Sequence, residues 1–159
     1  MSIFPTKILL ATDGSEEAEL AARTAADLAT TTGSELHVVY VGRVYVVVAG
    51  EEMLNSEYEQ LQREWQSALD EQVSRIKAGG ADVKQAHLRM GRREDEEIVT
   101  LAEEVEAGLI VMGSRGLGGV RRALMGSVSD SVVRHAHCPV MVVRPQQKRG
   151  EEHEADFLT

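Results

Sequence analysis

Five short strand-like runs, separated by four stretches of helical period, constrain this chain more than any other feature of it. Lys7–Thr12 is the first run, and Asp13-Gly14-Ser15 stops it. Asp13 or Ser15 suits the cap of the helix that follows, and Glu16 and Glu17 suit its positive first turn. Ala18, Ala21, Ala22, Ala25, Leu28 and Ala29 then recur at helical spacing, small enough to let a helix lie close on a sheet, and Gly33 ends it. Residues 36–41 form the second run. Tyr58, Leu61, Trp65, Ala68, Leu69, Val73 and Ile76 mark a long amphipathic helix closed by Gly79-Gly80, with Tyr58 and Trp65 read as core. Residues 82–89 are the third run, polar enough for a sheet edge. Ile98, Leu101, Ala102 and Val105 give a third helix ending near Gly108. Residues 109–112 (LIVM) are continuously apolar, as a parallel strand covered on both faces must be. Val128, Val132, Val133 and Ala136 mark the last helix, Pro139 stops it, and Val140–Val143 is the fifth run.

Such alternation predicts an α/β fold: an open parallel sheet with helices on both faces. The 159 residues are one domain's worth, and 43% hydrophobic against 27% charged is ordinary globular usage. Residues 1–145 read as a single domain and residues 146–159 as a polar, acidic, disordered tail. A net charge of -9 disfavours nucleic acid and anionic lipid as partners. Cys138 is the single cysteine and cannot form an internal disulfide. The longest strongly apolar run, residues 44–49, falls far short of a bilayer span, and the first six residues lack a basic start and an apolar stretch. The expectation is a soluble, cytoplasmic protein.

In an open α/β sheet, ligands bind beyond the carboxyl ends of strands where the strand order reverses. Two such ends carry unusual sequence. One is Ala11-Thr12-Asp13-Gly14-Ser15. The other is Gly113-Ser114-Arg115-Gly116, nine residues, then Gly126-Ser127-Val128 at the start of a helix. Glycines let backbone N–H groups approach an anion without a β-carbon in the way. The N–H groups of Ser127 and Val128 would lie at a helix N-terminus carrying roughly half a positive charge. A phosphate chain would lie between glycine turn and helix end, with the Ser127 hydroxyl as a further donor or a metal ligand. Other phosphate motifs do not fit. No lysine lies between Lys84 and Lys148, and Arg121 stands where a dinucleotide fingerprint needs its third glycine. Triphosphate charge would have to be met by backbone donors, by Arg115, Arg121 or Arg122, and by a divalent cation. A glycine-rich loop that is only a loop remains the competing reading.

The stretch Gly113 to Ser129 resembles the signature of the universal stress protein family's ATP-binding members, Gly-x2-Gly-x9-Gly-Ser/Thr. Ile8 to Ser15 is similar to that family's first strand and turn, and His135 to Arg144 continues the likeness. The resemblance covers roughly residues 3 to 145. It implies an adenine nucleotide alpha-hydrolase-like sheet of five parallel strands in the order 3-2-1-4-5, with the reversal between strands one and four. It implies ATP as ligand, with Mg held through the phosphates by Asp13 or Ser127. Asp13 would lie on the ribose side, Val41 would meet adenine through its backbone, and Gly113, Gly116, Gly126, Ser127 and Val128 would hold phosphates, with Ala11, Thr12 and Arg115 counted among the nucleotide-binding residues. It also implies a homodimer through Val140, Met141, Val142 and Val143. Two positions depart from the family's pattern, Gly108 for an aspartate and Gly91-Arg92-Arg93 for Gly-x-Pro. The 44–49 run reads as a flap on the second helix, with a dimer contact as the alternative.

His135, His137 and Cys138 are spaced too closely for a usual zinc set; His135 reads as a helix-end residue and Cys138 as a small buried residue. His37 reads as structural. Ser15 and Ser114 have no assignable base, so no catalytic residue is named. The leading reading is an ATP-binding stress-response or signalling dimer. A slow ATP hydrolase or phosphotransferase and a nucleotide-free scaffold dimer stay beside it.

Overall fold

Ser15 sets the first helix in place. Its extended backbone and its hydroxyl, which accepts from the Ala18 N–H at 3.1 Å, cap α1, while Gly33 ends that helix in the left-handed conformation at φ 70°. A computed structural model describes residues 2–44, 55–115 and 125–145. Within them β1 (Lys7–Thr12), α1 (Glu16–Thr32), β2 (Glu35–Arg43), α2 (Asn55–Ala78), β3 (Gln85–Gly91), α3 (Glu94–Glu104), β4 (Leu109–Gly113), α4 (Ser127–His135) and β5 (Val140–Val143) alternate. The strands make one parallel sheet in the order β3-β2-β1-β4-β5.

The continuous apolar strands have a simple cause: neighbouring residues face two different cores. Ile8 and Leu10 of β1, with Leu109 and Val111 of β4, pack under α1 and α2. Leu9 and Ala11, with Ile110 and Met112, pack with Ile98 and Leu101 of α3 and Val132 of α4. Both central strands are therefore buried on both sides.

Three expectations need correction. The third strand begins at Gln85 rather than 82 and runs on to Gly91, because it follows the longer β2, from His37↔Gln85 to Arg43↔Gly91. Val83, before it, packs on the α1–α2 core. Helix α3 ends at Glu104, four residues before Gly108, and the chain then turns through Glu106 at φ 58°. Gly108 instead lets the chain pass Thr6, whose Oγ1 would lie 2.0 Å from any β-carbon placed there. Tyr58 is exposed, not core. A 24-residue helix is about 36 Å long, and the buried residues of α2 (Leu69, Gln72 and Ile76) all fall in its second half. Trp65 is half-buried, its ring lying so close to β2 that a β-carbon on Gly42 would sit 2.2 Å from it. The 44–49 run read above as a flap lies, beyond Val44, outside the described residues, as does the tail 146–159 read as a disordered end.

His37 is buried as a structural residue and stacks on His87 of the neighbouring strand, ring centroids 5.8 Å apart. His37 Nδ1 and His87 Nε2 are buried without a partner. Burial first, then His37 and Arg89, push the His87 imidazole below its ordinary 6.5, against a smaller upward pull from Glu104. A lowered folded-state pKa means the unfolded chain binds the proton more readily. Stability is then full above the unfolded value and is lost as pH falls through the folded one. The melting temperature should fall between about pH 7 and 5, and His87→Asn should flatten that part of the curve. An unchanged slope in the variant would remove His87 from the account.

Candidate functional site

Chains leave β1 and β4 in opposite directions along the sheet, α1 leading to β2 and α4 to β5. A crevice opens between these two carboxyl ends. A pocket of about 350 Å³ occupies it, within the range of small-ligand sites. Ala11, Thr12, Asp13, Val41, Gly113, Arg115, Gly126, Ser127 and Val128 all line it, so nine residues singled out from the sequence converge on one cavity. Gly116 lies outside the described residues, as do Arg121 and Arg122.

On the β1 side the chain turns through Gly14 at φ 79°, and Asp13 Oδ1 accepts the Ser15 N–H at 2.9 Å. Ser15, not Asp13, is the residue that caps α1. Thr12 follows strand alternation to the other face. Its Oγ1 donates to Gln72 Oε1 at 3.2 Å and accepts the Gly14 N–H at 3.4 Å. Any contact Thr12 makes in the pocket is thus a main-chain one.

On the β4 side the loop is tied at its base. The Ser114 carbonyl accepts both the Gly126 N–H at 2.5 Å and the Ser129 hydroxyl at 2.8 Å. Gly126 is the N-cap residue of α4 and supplies no side chain to cap it. The two glycines have different reasons to be glycine. A β-carbon on Gly113 would press on Glu17 backbone at 3.1 Å, so this position lets α1 approach β4. A β-carbon on Gly126 would meet its neighbours at 3.4 Å, an ordinary contact, so packing alone does not demand a glycine there.

Glu17 holds this arrangement from α1. Its Oε2 accepts the Ser114 hydroxyl at 2.8 Å and the Arg115 N–H at 2.6 Å, and its Oε1 accepts Arg115 Nε at 3.0 Å. Sequence reasoning placed Glu17 only as a first-turn acid, and no local pattern links positions 17 and 115. Arg43 and Glu94 also line the pocket and were missed. Arg43 sits two residues beyond Val41 and shares its face of β2. Burial first raises the Glu94 carboxyl above the ordinary range; Arg43 opposes this, while Asp13 and Asp95 add to it. Burial and then the Asp13 and Glu94 carboxylates raise the Tyr40 phenol as well. With Asp13 and Glu94 set against Arg43 and Arg115, the described side chains bring no net positive charge to the pocket. An anionic ligand here needs the main-chain donors of α4.

The residues once weighed as a metal set are dispersed. His135 Nδ1 lies 2.8 Å from the Ser131 carbonyl in the last turn of α4, His137 pairs with Glu103 at 2.6 Å, and Cys138 is half-buried against the α3–α4 core. Among the described residues no group of three or more His, Cys, Asp and Glu is placed to hold a metal ion. None of their helices is long and apolar enough to cross a membrane.

This geometry has relatives. The model of the "Universal stress protein family" matches residues 5–144. The chain is 35% identical over 144 residues to universal stress protein MJ0531 of Methanocaldococcus jannaschii, covering 89% of this chain and 84% of that one. Among solved structures, it is similar to protein MJ0577, with TM-score 0.79, 29% identity, and 92% and 100% of the two chains covered. It is also similar to the universal stress protein of Archaeoglobus fulgidus in complex with dAMP, with TM-score 0.63, 28% identity, and 89% and 99% covered. A universal stress protein in complex with cAMP aligns with TM-score 0.67 and 25% identity over 89% and 98% of the chains.

Proposed function

The chain belongs to the universal stress protein family, and from that premise we propose that it binds ATP between β1 and β4 and acts in the cytoplasm as a homodimer whose conformation or partner contacts respond to the nucleotide. The observation that carries this reading is the uncapped start of α4 facing the Asp13 end of β1 across one pocket. In it, Ala11 and Thr12 contact the nucleoside through main chain, Asp13 accepts ribose hydroxyls, and the Val41 backbone meets adenine. Main-chain N–H groups of Ser127 and Val128, beside Gly113 and Gly126, hold the phosphates. Arg115 stands at the rim with its Nε and main-chain N–H already given to Glu17. Gly116 belongs to the same cradle in this reading. Mg would enter with the phosphates, taking at most one or two ligands from Asp13 and Ser127, since no protein cage is built for it among the described residues. The dAMP and cAMP complexes of relatives support an adenosine ligand.

Calorimetric titration with Mg-ATP tests the reading. A saturable isotherm near one nucleotide per chain is expected, and a flat trace at millimolar ATP overturns it.

The dimer has its own support. Strand β5 is an edge strand, with Met141 exposed and Val140 to Val143 apolar on both faces. Light scattering should give about twice 17.4 kDa, and Val142→Arg should return the single-chain mass. A wild-type monomer at tens of micromolar would refute pairing through this edge.

A further inference from the structure

A second, smaller groove opens off the pocket. Of about 170 Å³, it shares Arg43, Glu94, Ser127 and Val128 with the first and adds Arg92, Arg93, Asp95 and Ser131. Its far wall is the β3–α3 turn, where this chain carries two arginines in place of the family's Gly-x-Pro pattern. Three guanidinium groups on a chain of net charge -9 invite an account of where each is neutralised.

Two of the three face carboxylates. Arg93 reaches Asp95 through Nη2 at 2.7 Å and Nε at 3.3 Å, and Glu96 through Nη1 at 3.0 Å. Asp95 also accepts the Ser131 hydroxyl of α4 at 2.6 Å, which fixes the two helices around the groove. Arg43 faces Glu94. Arg92 is exposed and makes no hydrogen bond or ion pair among the described residues. Among the described residues the groove therefore ends on an unneutralised guanidinium, and neither Gly113 nor Arg115 lines it.

Resting on the nucleotide reading above, we propose that this groove is a subsite for a second anionic group, a phosphate on the sugar of an adenosine nucleotide, received by Arg92. Two of the four shared residues, Ser127 and Val128, stand at the phosphate end; of the other two, Arg43 follows Val41 on β2 and Glu94 of α3 lies near Arg43 and Asp13, so these two flank the nucleoside half of the site. A substituent leaving the ribose between them enters the groove. A longer phosphate chain on the 5′ side would instead run along the loop after Gly113.

ADP and adenosine 3′,5′-bisphosphate carry the same number of phosphates, so comparing them at low salt isolates position from charge. The bisphosphate should bind about fivefold tighter to the wild-type protein, the scale of one exposed charge pair. Arg92→Ala should erase the preference while leaving ADP affinity within about twofold, and Arg92→Lys should keep part of it. Equal affinity in the wild type, or a preference that survives Arg92→Ala, overturns the subsite and leaves the nucleotide reading standing. If neither nucleotide binds, both fall together.

Discussion

ATP at about one hundred times its dissociation constant should raise the melting temperature by about 5–10 °C, and Gly126→Val should abolish the rise. Ligand at that excess adds about 2.7 kcal/mol to a one-site protein. A chain of 159 residues converts each kcal/mol into about 2–4 °C. The substitution is informative because the fold has no need of a glycine at 126. The backbone there is extended, φ -71° and ψ 163°, a conformation that suits a β-branched residue. A β-carbon would touch Arg115 Cα and the Ser114 carbonyl at 3.4 Å, without overlap. The unliganded variant should therefore melt within about 1 kcal/mol of wild type. Its methyl groups, however, would stand at the mouth of α4, where a phosphate must reach the Ser127 and Val128 N–H groups. A variant that keeps its response to ATP would move the phosphates elsewhere. A variant that unfolds would mean the loop base, not the ligand, requires glycine, and Gly126→Ala would then separate the two effects.

How much of this was legible in the sequence follows the range of the interactions involved. Strand and helix positions were readable because their causes are local: alternation between two cores in β1 and β4, the Ser15 cap, the left-handed Gly33. The sheet order came from the family likeness, not from pattern. The third strand was misplaced because its ends are set by pairing with β2, which no window over residues 82–91 contains. Tyr58 was misread because amphipathic spacing shows which face is apolar, not whether another element covers it. The pocket residues taken from glycine spacing and the Asp-Gly-Ser turn do line one cavity. Arg43 and Glu94 did not announce themselves, since each looks like an ordinary surface charge until β2 and α3 bring them together.

Glu17 is the clearest case of a residue whose weight comes from distance in sequence, and Glu17→Ala should cost about 2–3 kcal/mol, or about 5–10 °C in melting temperature. Three donors converge on its carboxylate, and the Ser114 hydroxyl is on a residue only 2% exposed. Truncation would leave that hydroxyl, the Arg115 N–H and the Arg115 guanidinium without their acceptor. Removing one partner of a fully buried ion pair costs about 3–5 kcal/mol. The side chains here are 17% and 24% exposed, so water recovers part of that. Glu17→Gln keeps an oxygen for one N–H or hydroxyl and loses the charge, so an intermediate cost is expected. Glu16 supplies the control. It shares the first turn of α1 and its dipole, but it is exposed and makes no hydrogen bond or ion pair among the described residues. If Glu17 serves only the helix end, Glu16→Ala and Glu17→Ala should cost the same, about 0.3–1 kcal/mol. If it braces the β4–α4 loop from across the crevice, only Glu17→Ala should be severe. It should also weaken ATP binding, because the donors at the start of α4 are positioned through the same Ser114 carbonyl that receives Gly126 and Ser129.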